Sequence, residues 1–344
     1  MERKKNVRSP WKRGVLNIVF VLLLLFPCAE IAARILGWKA QHNVDYKVEA
    51  TPANWLQGDS IYGIKLTPGK FKVTLNDSLT FLTEHSIAGT RKLSTNDTSS
   101  NHLFILGCSF TYGYGVNSEH TFAQLIANHF KDHRVTNFAV PGHGEVQALL
   151  KLKEKISSGM IPNTVLMVYS KEHPQRNTMN RSYRSALHIG FNNSNKQVGT
   201  SMSAARFPYF STPDTNALRH VKWEEIYRNW TGRQTFAIVN ALQTSFETSQ
   251  KENNSVAVTT FIFNEMARLC KENKIQLTIV NLDDRSFTTR YPETSKSIDR
   301  IAINFDFSDH SLTNFPYDNH PNMAGHAKIA RKIIPILEAI LDEK

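Results

Sequence analysis

The sequence of 344 residues predicts an α/β protein whose main domain is a three-layer sandwich around a central parallel sheet. From residue 102 onward, short apolar runs typical of buried strands alternate with longer amphipathic stretches typical of helices. Such alternation indicates a parallel sheet covered by helices on both faces. Ahead of it, a long apolar run predicts an N-terminal transmembrane helix, and alternating polar and apolar residues predict a small β-rich extension.

The composition is that of a globular protein, and its charge does not indicate nucleic-acid binding. Hydrophobic residues make up 41% of the chain, and the formal net charge is +11. Much of the positive excess precedes the first apolar run, and the other cations are scattered among acidic residues without a basic stripe. The three cysteines, Cys28, Cys108 and Cys270, have neither metal-ligand spacing nor a disulfide framework, so no metal site is predicted.

The first 38 residues are typical of a membrane signal anchor. Residues 1–14 are basic and polar, and residues 15–38 begin with the strongly apolar run VLNIVFVLLLLFPCA. A span needs about 20 residues, which this segment reaches if Glu30 and Arg34 lie at the far interface. The preceding cations favour a cytoplasmic N-terminus. We therefore expect a single-pass protein of a bacterial inner membrane, contacting the lipid bilayer, with its main domain on the periplasmic or extracellular side. A cleaved signal peptide is the alternative.

Residues 39–101 predict a β-rich extension between the anchor and the main domain. The segment Tyr62–Gly69 has the composition of turns, and Phe71–Leu75 alternates like a strand. The polar stretch that ends at residue 101 is loop-like and marks the predicted boundary.

Residues 102–344 form the predicted main domain. Residues 170–233 are polar and too long for an ordinary loop, so they predict an insertion that covers the site and contains a short helix near 223–230. Around it, strands are predicted at 103–106, 135–140, 164–169, 276–282 and 301–305, and helices at 121–130, 145–156, 236–247, 256–271 and 322–341.

Two segments could bring nucleophilic chemistry to the strand ends. Ser109 follows the first strand directly, where an α/β fold presents side chains to a substrate. A serine nucleophile needs a base, and the base needs an orienting acid. Just before the last helix, His320 could serve as the base and Asp318 as the acid. Taken alone, the Ser109 segment is equally compatible with a polar turn, and the His320 segment is better explained by a helix cap and a solvated Asp-His pair.

Three short stretches form a recognisable set: GCSFTYG at 107–113, VTNFAVPGHG at 135–144 and DNHPN at 318–322. Together they resemble the motifs of the SGNH (GDSL-type) hydrolases, whose fold is a flavodoxin-like α/β sandwich. The resemblance spans about residues 101–344, and the stretch from Asp59 to Arg91 is similar to the extension of membrane-anchored members. It implies Ser109 as nucleophile, His320 as base and Asp318 as its partner, with the N–H groups of Ser109 and Gly142 in the oxyanion hole. That chemistry requires no cofactor.

The sequence departs from this pattern in three places. Cys108 stands where many members have Asp. The acid and base are spaced Asp-x-His in place of Asp-x-x-His, which leaves Asp309 as a second candidate for the acid. The third strand is not followed by the Asn that usually completes the oxyanion hole. His173 is the predicted substitute and Lys171 the alternative, whereas Asn177 could serve only if the loop doubled back.

The expected function is therefore a serine esterase, a hydrolase of carboxylic esters. The resemblance and the predicted anchor together favour an O-acetyl ester on a cell-envelope glycan as the substrate. Two alternatives remain open at this point. One is an O-acyltransferase of a cell-envelope polysaccharide, and the other is a catalytically idle glycan-binding or assembly protein.

Overall fold

A computed structural model describes residues 10–42, 46–193, 202–249 and 254–342. The first nine residues of the predicted basic segment therefore lie outside the described part of the chain. The chain divides into two compact units. The smaller comprises residues 1–44 and 228–251, and the larger comprises residues 45–227 and 252–344.

The described residues form helices and strands in the following order along the chain. The helices are α1 (Pro10–Ile35), α2 (Ser109–Tyr112), α3 (Phe122–His129), α4 (Glu145–Ser157), α5 (His173–Asn177), α6 (Arg181–Asn193), α7 (Ala237–Ser249), α8 (Ser255–Glu272), α9 (Phe287–Arg290), α10 (Pro292–Ser297) and α11 (Met323–Asp342). The strands are β1 (Val48–Thr51), β2 (Leu56–Asp59), β3 (Gly63–Leu66), β4 (Gly69–Leu75), β5 (Leu79–His85), β6 (His102–Leu106), β7 (Arg134–Asn137), β8 (Thr164–Tyr169), β9 (Arg206–Phe210), β10 (Leu218–Lys222), β11 (Gln276–Asn281) and β12 (Asp299–Ala302).

The smaller unit pairs α1 with α7. The carboxylate of Glu30 accepts hydrogen bonds from the backbone N–H groups of Ala237 (2.8 Å) and Ile238 (3.0 Å), which caps the start of α7. Arg34 donates to Glu30 at 2.7 Å and to the carbonyl of Thr235 at 2.9 Å. The two charged residues of α1 that were expected at a membrane interface therefore bind groups of their own chain.

Among the helices of the described residues, none combines the length and the apolarity that a membrane crossing requires. The transmembrane anchor predicted for residues 15–38 is therefore not supported.

The larger unit is built on a five-stranded parallel sheet in the order β12-β11-β8-β6-β7. The predicted parallel sheet is confirmed, and each of the five strands predicted for the main domain belongs to it. Numbered by their appearance in the sheet, the strands follow the order 2-1-3-4-5. In doubly wound sheets of this order, the ligand crevice lies at the carboxyl ends of the first and third strands, which here are β6 and β8.

Helices cover both faces of the sheet, because residues along a strand point alternately to opposite sides. Phe104 and Leu106 of β6 belong to one hydrophobic core, together with residues of α4 and α8. Leu103 and Ile105 belong to a second core, together with residues of α3 and α11. The sequence-based prediction of three layers is confirmed.

The β-rich stretch and the insertion contribute further structure to the larger unit. Strands β1, β4 and β5 form an antiparallel sheet, and β2 pairs with β3. The insertion contains α5, α6 and a hairpin of β9 and β10. Where a short helix was predicted near residue 223, the chain makes a single 3₁₀ turn, Trp223–Glu225, directly after β10. A third hydrophobic core contains residues of β1–β5 together with Leu187 of α6 and Phe207 of β9.

Candidate active site

Ser109 lies at the carboxyl end of β6, on a turn that is held close to the sheet. Gly107 makes this turn possible, because a Cβ at this position would lie 2.2 Å from the hydroxyl oxygen of Thr111. The chain enters α2 at Ser109, and the side chain of Asn137 at the end of β7 donates to the carbonyl of Thr111 at 3.0 Å. Ser109 is 8% exposed and faces a cavity.

The buried guanidinium of Arg91 fixes the other end of this turn. It donates to the carbonyls of Tyr112 (2.8 Å), Gly113 (2.6 Å) and Val116 (2.7 Å). Arg91 lies near the end of the β-rich stretch (residues 39–101), so that stretch contributes to the position of the segment that follows Ser109.

Ser109, His320 and Asp318 form a continuous chain of hydrogen bonds. Nε2 of His320 lies 2.7 Å from the hydroxyl oxygen of Ser109. Nδ1 of His320 lies 2.5 Å from Oδ1 of Asp318, and the backbone N–H of His320 donates to the same oxygen at 2.7 Å. Since a carboxylate only accepts hydrogen bonds, Nδ1 carries the hydrogen and Nε2 is free to accept the proton of Ser109. The structure therefore brings the three predicted residues together in the order that nucleophilic catalysis needs.

Two aromatic rings hold the imidazole of His320 in place. The ring centre of Phe110 lies 5.0 Å from that of the imidazole, and the ring centre of Tyr114 lies 4.7 Å from it. Both residues follow Ser109 closely in the sequence. The same turn thus carries the serine and the contacts that orient its hydrogen-bond partner.

Asp318 has a further partner that the sequence did not indicate. The hydroxyl of Tyr46 donates to Oδ2 of Asp318 at 2.7 Å, so both carboxylate oxygens are hydrogen-bonded. Burial favours the neutral acid, but His320 and the Tyr46 hydroxyl outweigh it and lower the pKa of Asp318 to about 2. Tyr46 lies 272 residues from Asp318 and belongs to no recognisable motif, so no signal in the sequence could have identified this contact.

The predicted oxyanion residue Gly142 also lies on the cavity. Its φ of 83° is in the left-handed region, which a glycine adopts without strain. Its carbonyl accepts a hydrogen bond from the hydroxyl of Tyr183, in α6. The turn after β7 is thus fixed by a residue of the insertion, and it faces the same cavity as Ser109.

The structure does not bring His173, the predicted third oxyanion donor, to the cavity. His173 is completely buried and its Nδ1 lies 2.6 Å from the carboxylate of Glu145. The two alternatives are also engaged elsewhere. The side chain of Asn177 donates to Glu145 at 2.7 Å, and the backbone N–H of Lys171 donates to Asp283 at 3.0 Å. The position of His173 therefore gives no support to the predicted role.

His173 forms a buried polar cluster with Cys108 instead. Burial raises the pKa of the Cys108 thiol, but His173 and Arg176 outweigh burial and lower it to about 6. Burial lowers the pKa of His173, but the charges of Glu145 and Cys108 outweigh burial and raise it to about 9. A thiolate at position 108 would place a negative charge beside the imidazole of His173 and the guanidinium of Arg176.

Asp309 and His143, the residue after Gly142, make their hydrogen bonds outside the triad. Asp309, the second candidate for the acid, accepts hydrogen bonds from the backbone N–H and hydroxyl of Ser311. His143 is buried against the carbonyl of Ile64 at 2.9 Å, and burial lowers its pKa to about 3. In the described part of the chain, no group of three or more His, Cys, Asp or Glu side chains could hold a metal ion.

The cavity beside Ser109 has a volume of about 290 Å³. The triad and Gly142 lie on it, and apolar or aromatic side chains form most of its wall. These come from the β-rich stretch (Tyr46, Val48, Trp55, Leu56), from the segment after Ser109 (Tyr114) and from the insertion (Tyr183, Ala186, Leu187, Phe191).

Comparisons with known proteins give only distant likenesses. No protein-family model matches the chain, and no curated protein is significantly similar to it. A solved structure of a psychrotrophic esterase from Pseudoalteromonas sp. is 11% identical, with 71% of this chain and 100% of that chain covered and a TM-score of 0.41. A member of the lipolytic G-D-S-L family from Veillonella parvula is 9% identical (69% and 98% covered, TM-score 0.33). An acetylxylan esterase from Geobacillus stearothermophilus is 11% identical (69% and 94% covered, TM-score 0.31). Likenesses at these scores carry no inference about this chain's activity.

Proposed function

We propose that this protein is a serine esterase of the SGNH type, with Ser109 as nucleophile, His320 as general base and Asp318 as the acid that orients the base. The observation that carries the proposal is the unbroken chain of hydrogen bonds from the Ser109 hydroxyl through His320 to Asp318, at the edge of a cavity. The three sequence motifs that resemble the SGNH hydrolases support the same assignment.

The proposed reaction runs in two steps. Ser109 Oγ attacks the ester carbonyl carbon while its proton passes to Nε2 of His320. The C–O bond to the alcohol then breaks, and the imidazolium returns the proton to the leaving alkoxide, which gives an acyl-enzyme and a free alcohol. Water then attacks the acyl carbon with His320 again as base, and release of the carboxylic acid restores Ser109. The ionised carboxylate of Asp318 stabilises the imidazolium in both steps.

The negative charge that develops on the carbonyl oxygen needs hydrogen-bond donors. We assign the backbone N–H groups of Ser109 and Gly142 to this role, since both residues lie on the cavity. Among the described cavity-lining residues there is no Asn or Gln side chain, and no histidine other than His320. Loss of one oxyanion donor raises a reaction barrier by about 3 kcal/mol. We therefore expect a slow esterase.

Hydrolysis of 4-nitrophenyl esters by the purified full-length chain tests the proposal. Ser109→Ala should lower kcat/KM by at least about a thousandfold, because the serine and its base act as a unit. Ser158→Ala, which removes a hydroxyl from the exposed end of α4, serves as the matched control and should match the parent. Equal rates for Ser109→Ala and the parent, with both folded by circular dichroism, would overturn the assignment.

The glycan substrate, acyl transfer and location remain predictions from the sequence. Acyl transfer to a glycan hydroxyl would use the same three residues and differ only in the acceptor. Mass spectrometry of a polysaccharide incubated with the protein and an acyl donor separates transfer from hydrolysis. Alkaline carbonate extraction tests the predicted inner-membrane location, because release of the full-length chain into the soluble fraction would contradict it.

A further inference from the structure

The cavity beside Ser109 is unusually apolar for a site that would receive an acetylated sugar. Among the described residues that line it, Asp318 supplies the one carboxylate and His320 the one imidazole, both belong to the triad, and no Lys or Arg is present. Val48, Trp55 and Leu187 are buried members of the same hydrophobic core, so the wall is a continuation of the protein interior.

The polar atoms on the wall are largely engaged with the protein. The hydroxyl of Tyr46 donates to Asp318, and the hydroxyl of Tyr183 donates to the carbonyl of Gly142. A sugar hydroxyl placed in the cavity would lose its hydrogen bonds to water and regain few from the wall. An unsatisfied hydroxyl is strongly disfavoured in such a place, whereas an alkyl chain gains from leaving water.

The cavity is also too large for an acetyl group. At about 30 Å³ per water-sized group in a liquid, a volume of about 290 Å³ holds roughly ten such groups. An acetyl group would fill a small part of this space. An alkyl chain of about six to ten carbons would fill most of it.

We propose that the cavity is an acyl-chain site, so that this protein acts on esters of medium-length fatty acids in preference to acetyl esters. This inference rests on the proposed function, because the chain is placed relative to Ser109 as the attacking group. The carbonyl carbon lies at Ser109 Oγ, and the acyl chain runs along Leu56, Leu187 and Phe191, which are wall residues from the β-rich stretch and from α6.

A series of 4-nitrophenyl esters from acetate to dodecanoate tests the proposal on the full-length chain. Because the leaving group is constant, differences in kcat/KM report the acyl chain. We expect a rise of up to about fourfold per methylene, the equivalent of ~0.8 kcal/mol per buried CH₂, and no further rise beyond about ten carbons. A series of alkyl acetates, in which only the alcohol lengthens, should show no such rise.

A variant whose side chain fills the cavity tests whether this wall determines the preference for longer acyl chains. Ala186 lies on the cavity and is exposed, so Ala186→Phe adds volume without displacing the core. It should lower the ratio of octanoate to acetate kcat/KM at least tenfold. Ser185→Phe, at the neighbouring position of α6 and outside the lining, should leave this ratio within about twofold of the parent.

The outcomes separate this inference from the proposed function. Ser109-dependent hydrolysis with equal kcat/KM for acetate and octanoate, or with a preference that follows the alcohol, overturns the acyl-chain site and leaves the esterase standing. An unchanged ratio in Ala186→Phe also overturns the site. Absence of Ser109-dependent hydrolysis on every ester overturns both.

Discussion

Replacing Tyr46 by Phe deletes one oxygen atom and, with it, the hydrogen bond to Asp318. In Tyr46→Phe the ring remains in the cavity wall, and Oδ2 of Asp318 loses the hydroxyl that lies 2.7 Å away. The side chain of Asp318 is only 6% exposed, so water replaces this partner poorly. Oδ1 keeps its bonds to His320, so the triad is weakened without being broken.

The expected size of the effect follows from the charge on the acceptor. A hydrogen bond to a charged group contributes about 1.5–3 kcal/mol, which corresponds to about ten- to a hundredfold in an equilibrium. Only the part of this free energy that the hydrogen bond supplies in the transition state affects the rate. We therefore expect kcat/KM to fall by about tenfold. Complete loss of the orienting acid would cost about ten-thousandfold in a serine triad, which sets an upper limit. The pKa of Asp318 should also rise from about 2 towards its ordinary value.

The assay is kcat and KM for 4-nitrophenyl butyrate between pH 3 and pH 9. Tyr46→Phe should lower kcat more than it raises KM. The deficit in kcat should grow as the pH falls below about 4, because Asp318 in the variant is protonated at a higher pH than in the parent. Tyr62→Phe is the matched control, since Tyr62 also donates to a carboxylate, that of Glu154, but lies outside the cavity lining. If Tyr46→Phe and Tyr62→Phe have the same profile as the parent, Tyr46 does not position the triad.

Three further predictions concern charge and stability. The absorbance of the Cys108 thiolate, measured as the difference between the parent and Cys108→Ala, should titrate with a midpoint near pH 6. His173→Gln should move this midpoint above the ordinary thiol pKa of 9. A midpoint of 9 or more in the parent would contradict the cluster of Cys108 and His173. The lowered pKa of Asp318 should stabilise the fold by about 2 kcal/mol above pH 4, a contribution that is lost as the pH falls through about 2. Urea unfolding should therefore show a gap between the parent and Asp318→Asn at pH 6 that narrows at pH 3, and a constant gap would argue against this. Arg91→Met should lower the free energy of unfolding by more than about 3 kcal/mol, because three buried carbonyls lose their donor. A change below about 1 kcal/mol in the same urea measurement would show that Arg91 does not stabilise this turn.

The parallel sheet was predictable because strands buried on both faces are continuous apolar runs. Every residue of His102–Leu106 and of Thr164–Tyr169 is buried, and short, mainly apolar runs of this kind favour a buried strand over other elements. The meeting of Ser109 and Gly142 at one edge also follows from the sheet, since parallel strands end on the same side. His320 required the family resemblance, because its position depends on where the last helix packs.

The sequence could not predict contacts that depend on the direction of a side chain. His173 lies at the expected distance along the chain from β8, yet it turns towards the buried Glu145, at the start of α4. The hairpin of β9 and β10 was missed because it lies in a stretch whose overall composition is polar, although Phe207 and Phe210 are buried. Glu30 accepts hydrogen bonds from the start of α7, and Arg34 donates to Glu30 and to the carbonyl of Thr235 just before α7; the apolar run alone gives no sign of these contacts.

The β-rich stretch has a consequence for how this protein can be shortened or recombined. A chain that began at residue 102 would keep Ser109, His320 and Asp318, but it would lack Tyr46, the wall residues Trp55 and Leu56, and the guanidinium of Arg91. Such a fragment would contain every residue of the three motifs. Its cavity would nevertheless lack part of its wall, and the turn after Ser109 would lack the hydrogen bonds from Arg91. The structural unit that carries the proposed site therefore begins near residue 46, and the β-rich stretch and the sheet domain must be exchanged between proteins as one piece.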